Sequence, residues 1–297
     1  MTIRGRFAPS PTGALHFGSL VAAVASFLQA RSRGGEWLVR IEDVDRPREV
    51  AGAADAILRE LARLGLEWDG PVLRQSARTA RYEAALAELA RDGWTFPCAC
   101  TRREAGDVYP GTCRRGIAAG RTARAVRLRV TGRVDLVDQI QGPYGQDLER
   151  EVGDFVVRRA DGLHAYHLAV VVDDLDQGVT EVVRGADLLD STPRQILLWR
   201  ALRAEPPRHA HLPVAVDAAG RKLGKQTGAP PTSALAAPVV LGQVLAFLGH
   251  PLPATLAGAP ADQILAWAVA SWDLARVPAT APGTVYTAPE DDDLDSR

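Results

Sequence analysis

Hydrophobic positions follow two rhythms along the chain, and their order predicts alternating strands and helices. Residues 3–8 read as a short strand, Pro9-Ser10-Pro11-Thr12-Gly13 as a turn-rich loop, and residues 17–31 as a buried helix, because small and apolar side chains occupy most of its faces. Strand, loop and helix make the first half of an α/β unit. Gly34-Gly35 stops that helix, residues 37–41 form the next strand, and Glu42-Asp43 falls at its carboxyl end, where open α/β sheets place their ligands. Helical spacing returns over 53–64 and 79–91, after which the rhythm breaks into short strands and a cysteine-bearing loop, so residues 97–146 read as an insertion. The α/β pattern resumes with a strand over 155–159, the Asp161-Gly162 turn, an apolar stretch through Val172 and a strand over 180–184. A helix over 192–202 opens on Ser191 and Pro193, a strand over 212–216 follows, and helical spacing over 239–249 and 261–272 predicts a small C-terminal cap.

Composition narrows this picture. The 297 residues are 46% hydrophobic and 24% charged, ordinary for a globular chain with one large core or two moderate ones. No uncharged apolar run reaches about 18 residues, and the N-terminus leads into Pro9 and Pro11 rather than an apolar leader, so a cytoplasmic location with no membrane partner is expected. A net charge of -1 offers no general attraction to nucleic acid, and an RNA partner would need a local basic face such as Arg114, Arg115, Arg121, Arg124, Arg127 and Arg129. The acidic run at 290–295 reads as a solvated tail.

Only two of the 35 basic residues are lysines, Lys222 and Lys225, and they share one five-residue stretch. An ammonium is a compact charge with three donors, suited to crowded phosphate oxygens, whereas a guanidinium suits bidentate pairing. The concentration of lysine therefore points to a phosphate site. The loop into the first helix points the same way: free N–H groups and the helix dipole favour an anion there, His16 adds a donor, and Gly18 allows a flat ring or phosphate to approach. All three cysteines, Cys98, Cys100 and Cys113, lie in one short segment. In a cytoplasmic chain that argues for zinc rather than a disulfide, with Asp107 or water open as the fourth ligand and reduced thiols as the metal-free alternative.

These motifs together resemble a known family. His16-Phe17-Gly18-Ser19 is similar to the first signature of class I aminoacyl-tRNA synthetases, and Lys222-Leu223-Gly224-Lys225-Gln226 to the second. Residues 6–13, 40–43 and 183–187 resemble the glutamate-specific branch, and Cys98-Ala99-Cys100 with residues 165–174 resembles its glutamyl-Q members, short paralogues of glutamyl-tRNA synthetase. The likeness runs from Arg4 to about Pro278.

The resemblance implies a Rossmann-like class I catalytic core, with halves at 1–96 and 147–235, a zinc-bearing insertion at 97–146, a C-terminal helical region at 236–280, a flexible acidic tail at 281–297, and no anticodon-binding domain. It implies activation of L-glutamate with ATP, accompanied by Mg2+, without any need for tRNA, and transfer to the queuosine cyclopentenediol in the anticodon stem-loop of tRNA(Asp), by a monomer. His16 and Lys225 would be catalytic, and Gly18, Ser19 and Lys222 would join them in binding ATP. Arg6 and Arg184 would meet the acidic groups of glutamate, Glu42 its ammonium, and Ser10 and Tyr166 would complete the pocket with hydroxyls. Tyr109 would be the fourth ligand beside Cys98, Cys100 and Cys113 of one structural Zn2+. One departure is Gly224, where the family usually has serine; it removes a hydroxyl and loosens the loop. Two alternatives stay open: a compact glutamyl-tRNA synthetase charging the 3′ end of tRNA(Glu), and a non-catalytic zinc-bearing RNA-binding paralogue.

Overall fold

The computed structural model describes residues 2–45, 48–215 and 234–279. Strand β1 (Arg4–Phe7) pairs in parallel with β2 (Glu36–Ile41), and β2 with the short β3 (Leu73–Arg74). Helix α1 (Phe17–Arg31) crosses between β1 and β2, and α2 (Ala53–Arg63) follows β2. On the other edge of β1, the Thr180 N–H donates to the Arg4 carbonyl oxygen at 2.9 Å and the Arg4 N–H donates to the Thr180 hydroxyl at 2.9 Å. These bonds seat β9 (Glu181–Gly185) beside β1, and β10 (Arg208–Leu212) pairs in parallel with β9. The spatial order is thus β3, β2, β1, β9, β10, which reverses direction at β1 and β9. A ligand crevice belongs at the carboxyl ends of those two strands.

Helix α1 is apolar almost all round because it is covered almost all round. Leu20, Val24 and Leu28 have no exposed surface, and the helix packs against β1 and β9 and under the C-terminal helices α8 (Ala237–Phe247) and α9 (Ala261–Ser271). Full burial of each such side chain stabilises by about 1.5–3 kcal/mol. Trp272 donates its indole N–H to Gln29 of α1 at 2.7 Å and stacks on His250 at 4.6 Å, joining the C-terminal helices to α1.

A second hydrophobic cluster forms around α3 (Thr79–Arg91), α6 (Tyr166–Asp176) and α7 (Thr192–Ala201). Between α3 and α6 lie an antiparallel sheet, β4 (Thr95–Cys98), β5 (Ala125–Leu128) and β8 (Val156–Arg158), the short helices α4 (Arg102–Ala105) and α5 (Leu148–Glu151), and the hairpin β6 (Arg133–Asp138) and β7 (Gly142–Asp147). The sequence places a return to the α/β pattern at 155–159, yet β8 pairs antiparallel with β5 and completes the inserted sheet. Apolar alternation shows that a strand exists, not which sheet receives it.

The last strand also differs from expectation. It spans Arg208–Leu212 rather than 212–216, and Val216 lies outside the described residues. His209 and His211 conceal it, because two buried imidazoles interrupt the hydrophobic run and are stabilised only by tertiary partners.

Candidate functional site

The crevice predicted by strand order is a cavity of about 610 Å³, and Arg6, Ser10, His16, Gly18, Ser19, Glu42, Tyr166 and Arg184 all line it. Parallel strands β1, β2 and β9 bring Arg6, Glu42 and Arg184 to their carboxyl ends. The Glu42 N–H donates to the Pro9 carbonyl oxygen at 2.9 Å, pinning the end of β2 to the loop that leaves β1. His16 is the N-cap of α1, accepting the Ser19 N–H on Nδ1 at 3.2 Å, with the Ser19 hydroxyl 3.1 Å from Nε2. The capping role and the cavity position coexist.

Charge in the cavity is divided. Arg40, fully buried, lies 2.7 Å from Asp174, 3.3 Å from Glu42 and 3.8 Å from Asp173, and the Arg6 Nε donates to Asp174 at 3.2 Å. Burial would lower the Arg40 pKa, but Asp174, Glu42 and Asp173 together raise it. Burial also raises the Glu42 pKa above its ordinary value, with Arg40 and Arg6 opposing the rise. Tyr166 is 36% exposed as a residue, and burial of its phenol end pushes the hydroxyl pKa up.

Among the buried arginines that line the cavity, Arg184 stands apart from Arg6, which pairs with Asp174. It is 5% exposed, its Nε donates to His211 Nε2 at 3.1 Å, and its Nη2 donates to the Thr192 hydroxyl at 2.8 Å and the Leu188 carbonyl at 3.3 Å. Nη1 is buried without a hydrogen-bond partner, and no carboxylate among the described residues ion-pairs with this side chain. Burial lowers its pKa, yet a guanidinium remains charged, so the cavity holds a desolvated cation with no ion-paired carboxylate among the described residues. An anionic group placed there gains a strong interaction at little further desolvation. With Glu42 as the opposite charge, the cavity fits a molecule carrying both signs.

Elsewhere, Cys98, Cys100 and Cys113 converge with all sulfurs within 4.8 Å of one another. The Tyr109 hydroxyl lies 3.4 Å from Cys98 Sγ and 3.7 Å from Cys100 Sγ, and accepts the Cys113 N–H at 2.8 Å. Burial alone would raise the Cys98 thiol, but hydrogen bonds from Tyr109, the Cys100 backbone and Arg127 bring it down to about 7. These buried residues could hold a metal ion.

Lys222 and Lys225, with Gly224 between them, lie outside the described residues. Four residues central to the electrostatics escape sequence reasoning as functional: Arg40, Asp138, Asp174 and His211. Asp174 and Arg40 stand inside segments that match the family, but no spacing rule shows that they pair with each other.

The fold and this cavity define a class I synthetase core, and comparison with known proteins agrees. A family described as "tRNA synthetases class I (E and Q), catalytic domain" matches residues 2–108 and 112–232. The chain belongs to that class, and within it to the glutamyl-Q tRNA(Asp) synthetase family. It is 56% identical to the protein of that name from Chromobacterium violaceum, over 93% of this chain and 95% of the relative. It is 54% identical to the one from Thiobacillus denitrificans, over 96% and 98%. A glutamate-tRNA synthetase structure from Elizabethkingia anophelis superimposes with a TM-score of 0.80 at 24% identity, covering 97% of this chain and 68% of that one, which shows a shared fold. No helix among the described residues is long and apolar enough to cross a membrane.

Proposed function

We propose that this protein activates L-glutamate with ATP without tRNA, then transfers it to the queuosine cyclopentenediol in the anticodon of tRNA(Asp). The observation that carries the glutamate assignment is Arg184, a buried cation with an unpartnered Nη1, which lines the same cavity as Glu42. Glutamate offers two carboxylates and one ammonium. Arg184 and Arg6 serve its acidic groups, Glu42 its ammonium, and Tyr166 and Ser10 add hydroxyl contacts.

In the first step an α-carboxylate oxygen bonds to the α-phosphorus of ATP, and the bond from that phosphorus to the pyrophosphate oxygen breaks. Charge grows on the departing pyrophosphate. His16, the first-turn N–H groups beside Gly18 and Ser19, and the lysines Lys222 and Lys225 answer that charge, with ATP arriving as its Mg2+ complex. In the second step a cyclopentenediol hydroxyl attacks the adenylate carbonyl carbon, AMP leaves, and its phosphate takes the hydroxyl proton. The cavity's role in both steps is to hold the reacting carboxylate in line.

The cysteine cluster serves as a structural zinc site. Tetrahedral zinc with Zn–S near 2.3 Å and Zn–O near 2.0 Å separates sulfurs by about 3.8 Å and sulfur from oxygen by about 3.5 Å. The Cys100 to Cys113 separation of 3.7 Å and the two Tyr109 distances agree with that geometry. Tyr109 is accordingly the fourth ligand, and the metal braces the 97–146 insertion against RNA. Residues 1–96 serve as the first half of the core, the stretch after β8 through residue 235 as the second, and 236–280 as its helical support. One chain carries the whole constellation, which favours a monomer, and the demand for ATP and tRNA favours the cytoplasm.

The test has two arms. Purified protein should exchange labelled pyrophosphate into ATP when given glutamate and no RNA, and should transfer labelled glutamate to tRNA(Asp) only when queuosine is present. Absence of exchange by folded, zinc-loaded protein defeats the enzymatic reading. Transfer to tRNA lacking queuosine defeats the acceptor assignment.

A further inference from the structure

Arg184 does not orient itself. Three hydrogen bonds fix its plane, two from Nη2 to Thr192 and Leu188 and one from Nε to His211, and Nη1 alone is left without a partner. His211 is the cross-strand neighbour of Arg184 in the parallel pairing of β9 and β10, so the sheet register itself sets the two side chains together. For His211 to accept on Nε2, its proton must sit on Nδ1.

That proton is placed by Asp138. The carboxylate lies at the end of β6 and is almost fully buried; Oδ2 is 2.6 Å from His211 Nδ1, while Oδ1 accepts the N–H groups of Ile140 at 3.0 Å, Gln141 at 2.9 Å and His211 at 3.0 Å. Burial alone would raise its pKa, but His211 and these backbone donors hold it below the ordinary carboxylate value. An ionised carboxylate only accepts, so Nδ1 is the protonated nitrogen and Nε2 carries the lone pair aimed at Arg184. Burial lowers the His211 pKa, in keeping with a neutral ring. The hairpin is bolted in place by further bonds, from Gln141 Nε2 to the His211 carbonyl at 2.6 Å and from the Gln139 N–H to the His209 carbonyl at 2.9 Å.

We propose that Asp138 and His211 are positioning residues that make the cavity select a substrate carboxylate over a carboxamide, by orienting Arg184 without neutralising it. A carboxylate bonded directly to Arg184 would orient it equally well but would cancel the charge needed for the ligand. An imidazole interposed between Asp138 and Arg184 passes on the hydrogen bond and keeps the negative charge out of ion-pairing reach. The inserted hairpin thereby contributes to amino-acid selection in the catalytic core. This inference rests on the glutamate reading of the cavity.

Asp138→Asn is the informative change. Its carbonyl oxygen can keep the three backbone bonds while its amide faces His211 Nδ1, forcing the ring proton onto Nε2 and setting two donors against each other at Arg184. His211→Gln removes the ring and leaves the hairpin's backbone bonds to Asp138, so it tests the same link independently. In glutamate-dependent pyrophosphate exchange by the full chain, each variant should raise the KM for glutamate by about tenfold to a hundredfold, the worth of a hydrogen bond to a charged group, with kcat and the KM for ATP within about twofold. The glutamate-to-glutamine ratio of kcat/KM should fall by a similar factor. On an Arg184→Gln background, Asp138→Asn should add less than about twofold, because the interaction it serves is gone. The ¹⁵N shifts of His211, assigned by difference from His211→Gln, should report the Nδ1–H form in the parent and the other tautomer in Asp138→Asn.

An unchanged tautomer, an unchanged glutamate KM in both variants, or a full multiplicative effect on the Arg184→Gln background overturns the proposal. If Arg184→Gln by itself leaves the glutamate KM unaltered, the glutamate reading of the cavity fails instead. The two failures are distinguishable.

Discussion

To hold the ammonium of glutamate as proposed, the Glu42 side chain must be buried enough to favour a cation and charged enough to hold it. Its side chain is 7% exposed and its pKa is raised by burial, with Arg40 and Arg6 holding the rise in check. The sign of the consequence is definite: a raised pKa means the charged form is lost, as pH falls, sooner than for a free glutamate side chain near about 4.3. The kcat/KM for glutamate should therefore be level above that titration and decline below it, since this ratio reports the free enzyme. Glu42→Gln should abolish that acid limb and raise the glutamate KM by about tenfold to a hundredfold. A pH series of exchange assays on both proteins checks this, and an identical limb in the variant would assign it to another group. That Arg6, Glu42, Tyr166 and Arg184 share one cavity was legible in the sequence through the family motifs that carry them. That Asp138 pairs with His211 was not, since the partners stand 73 positions apart and either one, taken singly, is an unremarked polar residue.

The inserted sheet shows how one backbone position can govern a whole element. Gly153 has φ of +69°, and a Cβ there would come within 2.6 Å of the Tyr109 carbonyl oxygen and 2.7 Å of its nitrogen. Tyr109 and Gly153 also form an isolated parallel bridge, so the chain bearing the tyrosine is laid directly against this glycine. Gly153→Ala should push the Tyr109 backbone away, weaken zinc binding by about tenfold or more in competition with a chromophoric chelator, and destabilise the fold by about 1–3 kcal/mol. Retention of parental zinc affinity would remove Tyr109 from the ligand set. Helices α1 and α3 coincide with the spans read from hydrophobic spacing, because a helix's buried stripe is a local property. Strands β8 and β10 were misassigned or displaced, because strand pairing and the burial of histidine are decided by partners distant in sequence.

Across the molecule, a buried ionic network binds the catalytic core into one body. Arg40 on β2 meets Asp174 and Asp173 on α6, Arg6 on β1 joins Asp174, and Asp173 accepts from Gln75 and Tyr82 at 2.8 Å each and from Arg78 at 2.6 Å. Arg40→Met keeps much of the volume but removes the cation shared by three carboxylates, leaving Asp174 with Arg6, Asp173 with Arg78, and Glu42 with no ion pair among the described residues. Loss of one partner of a buried ionic group costs about 3–5 kcal/mol, and denaturant unfolding should show a decrease of that size. A decrease below about 1 kcal/mol would mean that water or rearrangement supplies the missing charge. The sequence by itself determined the alternation of strands and helices, the turn-rich loop into α1, the cysteine cluster and the charge types of the pocket, because periodicity, turn chemistry and residue charge are read from neighbours in the chain. Only the tertiary structure decided that β9 lies against β1 to open the crevice, that Asp174 rather than Glu42 pairs with Arg6, and that a hairpin carboxylate orients Arg184 through His211. Those outcomes depend on burial and on hydrogen bonds between residues far apart in sequence, whose energies exist only once the chain has folded.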